Sequence, residues 1–117
     1  MKSRNINTVD QLSKLLQKKV IIVDLSDEKE FKNNKIDGAI NIPAKEIGDS
    51  INYLKSSDKP IIFCSETETN SQKVYDSVAD LELEVYNGGS TEKLKMLIDK
   101  LKSHESYGQR NIGDYFR

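Results

Sequence analysis

A chain of 117 residues, 36% hydrophobic and 32% charged, has material for one modest core under a charged surface and little room for a second domain. Its 18 basic and 19 acidic side chains leave a net charge of −1, so no global positive field argues for nucleic-acid binding or for an anionic membrane surface. No apolar run approaches a membrane span, residues 1–8 lack the apolar core of a signal peptide, and one cysteine cannot close an internal disulfide; a cytoplasmic setting is the expectation.

Thr8 with Gln11 reads as a capping box, and Val9, Leu12, Leu15 and Leu16 recur at helical spacing, which predicts a helix over 9–18. The β-branched run Val20-Ile21-Ile22-Val23-Asp24-Leu25 reads as a strand buried on both faces. Asp27 with Glu30 opens a short helix to about Asn33. Ala39-Ile40-Asn41-Ile42 is a second strand, stopped by Pro43. Ile47, Ile51 and Leu54 mark about two helical turns, and Pro60-Ile61-Ile62-Phe63-Cys64 is a third buried strand. A loop over 65–69 follows, then a helix from about Asn70 or Ser71 through Ala79. Leu83-Glu84-Val85-Tyr86 is a fourth strand, ended by Gly88-Gly89. Ser90 or Thr91 caps a last helix with Leu94, Leu97, Ile98 and Leu101 on one face. The division is then one domain over 1–103 and a polar tail over 104–117 without helical period.

Apolar strands alternating with helices predict an α/β fold: a three-layer structure with a parallel sheet of four to five strands, flanked by helices on both faces. Ligands in such folds bind beyond the carboxyl ends of the strands, where Cys64 stands. A strand, cysteine, short loop and helix in succession can surround a thiolate with inward amides and a helix N-terminus. The bland alternative is a small buried residue finishing a strand. His104 is the only histidine and lies past the last helix, so neither a cysteine–histidine dyad nor a metal site is expected, and no cofactor is implied. Asp24 is read as a tie to the neighbouring loop, and Lys93, Lys95, Lys100 and Lys102 as the solvated face of the last helix.

Val23-Asp24-Leu25 with Glu30-Phe31, Ile36-Asp37-Gly38-Ala39-Ile40-Asn41-Ile42-Pro43, Pro60-Ile61-Ile62-Phe63-Cys64, Asn70-Ser71-Gln72-Lys73 and Val85-Tyr86-Asn87-Gly88-Gly89 together resemble the rhodanese-like family. The resemblance runs from about Asn5 to Leu101. It implies a single-domain protein that carries sulfane sulfur on Cys64 as a persulfide and passes it from a sulfur donor to a thiophilic acceptor. The loop Ser65, Glu66, Thr67, Glu68, Thr69 and Asn70 would supply the amides around the sulfur.

Several residues depart from the family pattern. The seven residues from Cys64 to Asn70 match the loop length of related phosphatases, whereas sulfurtransferases usually have six. The phosphatase arginine is Asn70 here, and a neutral amide cannot replace a bidentate cation, so phosphatase activity is disfavoured. Glu66 and Glu68 replace the basic loop group that helps hold thiosulfate, which favours a neutral or protein-bound donor. A non-catalytic rhodanese-like binding module is the alternative function.

The tail carries a separate pattern. Gln109, Ile112, Tyr115 and Phe116 read Gln-x-x-Ile-x-x-Tyr-Phe and resemble the short peptides that bind the sliding clamp of replication. In one helical turn Ile112, Tyr115 and Phe116 share a face and form an apolar plug suited to a groove. The resemblance implies a sliding clamp as partner; the alternative is that these side chains cover a patch of their own domain or pair two subunits.

Overall fold

The computed structural model describes residues 4–107. The strands are β1 (Ile21–Asp24), β2 (Ile40–Asn41), β3 (Ile61–Ser65) and β4 (Val85–Ser90). The helices are α1 (Val9–Leu16), α2 (Glu28–Asn33), α3 (Ile47–Ser57), α4 (Glu68–Val78) and α5 (Thr91–Tyr107), with a 3₁₀ turn over Ala44–Glu46. The strands pair in parallel in the order β2-β1-β3-β4, which is the α/β sheet expected of apolar strands alternating with helices.

The local signals explain most boundaries. Thr8 and Gln11 form the capping box of α1, with both reciprocal bonds present. Asp27 caps α2 by accepting from the Glu30 N–H at 2.8 Å. The order of the strands puts β1 and β3 in the centre, each covered on both sides. Ile22, Ile62 and Cys64 pack into one cluster with Leu12, Leu15 and Leu16 of α1 and Leu94, Leu97 and Ile98 of α5. Val23, Ile61 and Phe63 pack on the opposite face with Leu54 of α3 and Val74, Tyr75 and Val78 of α4. Adjacent residues of a strand point to opposite faces, so a continuous apolar run fills two cores.

Three of the differences from the sequence reading are more than one or two residues of fraying at an element's end. Helix α4 begins at Glu68 with Thr67 as its N-cap, whose hydroxyl accepts from the Asn70 N–H at 3.2 Å. Strand β4 runs through the double glycine to Ser90. Its register against β3 steps from Phe63–Asn87 to Ser65–Ser90, so β4 has one extra residue and bulges there. Gly89, at φ +79, supplies the left-handed conformation the bulge uses. Helix α5 continues to Tyr107, through residues the sequence reading leaves in the tail.

The N-terminal segment adds a short fifth line to the sheet edge. Asn5 bridges Asn87 in parallel, with the Ile6 N–H donating to the Asn87 carbonyl at 2.9 Å and the Asn87 N–H to the Arg4 carbonyl at 2.7 Å. Among the described residues, no helix is long and apolar enough to cross a membrane.

Candidate functional site

Four segments meet at the carboxyl edge of the sheet: the ends of β1, β3 and β4, and the turn after β2. The loop after β1 is tied down from both sides. The Asp24 carboxylate accepts from the Ser26 N–H at 2.9 Å, as a loop-tying residue should, and the Asn41 side-chain amide donates to the carbonyls of Asp24 and Ser26 at 3.0 and 2.8 Å. Ser26 in turn accepts from the Glu66 N–H at 3.0 Å, which fixes the loop after β3.

Cys64 does not open onto this edge. It lies inside β3, opposite Asp24, with 0% of its surface exposed, and its side chain belongs to the cluster under α1 and α5. Burial pushes the thiol from the ordinary 9.0 up to about 12, and the Asp24 carboxylate pushes the same way. The Thr91 hydroxyl, which stabilises a thiolate by hydrogen bonding, opposes them in part.

The expected amide cradle is also reorganised. Only Glu66 and Thr67 lie between β3 and α4; Glu68, Thr69 and Asn70 form the first turn of α4. The amides of Glu66, Asn70 and Ser71 are already bonded, to Ser26, to the Thr67 hydroxyl and to the Thr67 carbonyl. Because β3 extends through Ser65, the stretch from the strand end to Asn70 counts six residues, the length that the family's sulfurtransferases usually have. Ser65, and not Cys64, is thus the residue at the carboxyl end of β3. It is also fully buried, and its hydroxyl has no partner among the described residues.

What faces the edge is acidic. A cavity of about 220 Å³ is lined by Asp24, Glu30, Glu66 and Glu92 with the hydroxyls of Ser26 and Thr91. Four carboxylates around a small cleft disfavour an anionic ligand. Glu30 and Glu92 belong to this rim although the sequence marks neither as a site residue; only the packing of α2 and α5 at the same edge brings them together. Among the described residues, no group of three or more His, Cys, Asp or Glu side chains is arranged to hold a metal ion. Gln109, Ile112, Tyr115 and Phe116 lie outside the described residues.

The rhodanese-like domain model matches residues 8–95, and the chain belongs to that family. The fold is similar to that of a rhodanese-related protein from Thermoplasma volcanium, at 19% identity and a TM-score of 0.65, covering 86% of this chain and 93% of that one. A rhodanese-like domain protein from Staphylococcus aureus is similar at 24% identity and a TM-score of 0.63, covering 80% and 91% of the two chains. A protein from Staphylococcus saprophyticus gives 23% identity, a TM-score of 0.62 and coverages of 80% and 93%. Comparison with curated proteins gives no significant match.

Proposed function

We propose that this rhodanese-like domain works as a binding module and that Cys64 carries no sulfur in the folded chain. The observation that carries the reading is the complete burial of Cys64, with its thiol pushed up to about 12. A nucleophilic cysteine needs thiolate character and access, and this one has neither. The serine at the end of β3 and the acidic rim support the same reading: the strand end bears a weaker nucleophile, and its surroundings repel thiosulfate.

A sulfur carrier is the second reading. Membership of the rhodanese-like family favours it, as does the place of Cys64 one residue from the carboxyl end of a central strand. It requires β3 to open toward solvent, and its donor is neutral or a protein. Intact-mass spectrometry separates the two readings after incubation with thiosulfate and with a neutral organic trisulfide. The expected result is no gain of a sulfur atom under native conditions with either donor. A gain on the native chain that Cys64→Ala abolishes would establish the carrier.

The clamp-binding reading of Gln109, Ile112, Tyr115 and Phe116 is a separate proposal, supported by their spacing alone. Calorimetry of a 103–117 peptide against an archaeal sliding clamp is expected to show binding that Ile112→Ala with Phe116→Ala abolishes. Absence of binding would discard the proposal.

A further inference from the structure

A second cavity, of about 390 Å³, lies between the N-terminal segment, the first turns of α4 and the end of β4. Asn5, Asn7, Gln72 and Asn87 line it with carboxamides, and Lys73 and Lys93 with ammonium groups. Several of these side chains are held in place. Asn87 is only 5% exposed; its Oδ1 accepts from the Ser71 hydroxyl and, at 2.9 Å, from the Gly89 N–H, while its Nδ2 donates to Gln72 Oε1 at 2.9 Å. Gln72 in turn donates to Asp76 at 2.8 Å. An orienting chain of this kind fixes the carboxamides before any ligand arrives.

Lys93 is the fixed cation. Its side chain is 25% exposed, and its Nζ donates to Asn7 Oδ1 at 3.0 Å and pairs with the Glu68 carboxylate at 3.5 Å. The seat depends on Gly89, since a Cβ there would lie 2.7 Å from Nζ and 2.8 Å from Cε. The sequence reading makes Lys93 part of a solvated helix face; the structure folds it over the bulge of β4 instead. Ties between β4 and α4 account for Asn87 and Ser71, but Asn7, Lys73 and Lys93 support no apolar core.

The chemistry of the lining selects a ligand. Two ammonium groups against one carboxylate leave the cavity net positive. Asn7 commits its oxygen to Lys93, so its amide hydrogens are what it offers. Carboxamides present the same donor and acceptor as a peptide group. A cation set beside carboxamides is complementary to a carboxylate that is followed by peptide bonds, and the Glu68 carboxylate has acceptor capacity left, beyond its pair with Lys93, for a peptide N–H. We propose that this cavity captures the free C-terminal carboxylate of a peptide. The proposal is independent of the chemistry of Cys64.

The test is amide-resolved NMR of the full chain titrated with acetyl-Ala-Ala-Ala as the free acid, with the same peptide as its C-terminal amide, and with acetate. The acid is expected to shift the signals of Gln72, Asn87, Gly89 and Lys93 saturably. The amide and acetate are each expected to bind about tenfold more weakly or worse. Lys93→Gln should weaken the acid by about tenfold or more, and Lys93→Arg should keep most of the response. If the Lys93→Gln spectrum shows an unfolded chain, Asn7→Ala on the exposed segment takes its place, with the same loss expected. No saturable shift, equal binding of acid and amide, or acetate binding as tightly as the tripeptide would each overturn the proposal.

Discussion

In native buffer at neutral pH, Cys64 is expected to react with iodoacetamide about a thousandfold more slowly than the same thiol in guanidinium chloride. The thiolate is the nucleophile, and a thiol raised from 9.0 to about 12 holds about a thousandth of the thiolate at any pH well below 9. Zero exposure adds a steric barrier, so the native reaction proceeds through opening of the structure. The rate should climb about tenfold for each pH unit and show no plateau below pH 9. Quenched time courses read by mass spectrometry measure this. A plateau near pH 7 would show a depressed pKa and a working nucleophile, and native and unfolded rates within a factor of about ten would show a thiol that the fold does not shield.

The second large effect concerns Gly88, in the step of β4 where the register against β3 shifts. A Cβ at this position would lie 2.8 Å from the Phe63 carbonyl oxygen, 3.0 Å from Ile62 Cγ2 and 3.1 Å from Leu94 Cδ2. The first neighbour is strand backbone and the other two are walls of the fully buried core, so none yields cheaply. Gly88→Ala is expected to destabilise the fold by about 2–3 kcal/mol, the range of an overpacked core site. Gly48→Ala in α3 is the matched control: its Cβ meets nothing within 4 Å, and helix propensity predicts a gain of up to about 1 kcal/mol. Urea unfolding of both variants decides the matter; a Gly88→Ala chain as stable as the parent would mean that β4 shifts away from β3 at little cost.

The sequence carries the sheet, its parallel character and most caps, because these follow from runs, periods and short-range pairs such as Thr8 with Gln11. It does not carry the direction of Cys64. In a strand buried on both faces every residue is apolar, and no polar partner marks which side each one takes. Parity within β3, set by pairing with β1 and β4, sends Ile62 and Cys64 to one core and Phe63 to the other. Thr67 followed by Glu68 is a legible helix start, and the family resemblance, which suggests a longer loop, obscures it. The end of α5 is illegible for another reason: residues past Leu101 show no apolar period by which the sequence could mark it. The carboxamide cavity joins residues from both ends of the chain, which no local pattern can reveal.

The bridge from Asn5 to Asn87 has a consequence for the order in which the molecule assembles. Asn5 and its strand partner Asn87 are separated by most of the domain's length, so their pairing waits until the chain between them is in place. Contacts between such distant positions close late, since the chain between them must be ordered beforehand. The sheet can therefore be complete in its four strands while residues 4–7 are still free. Asn5 and Asn7, and with them the anchor of the Lys93 ammonium, are expected to dock late, together with the burial of Ile6 against the core, and the cavity they line is completed at that step.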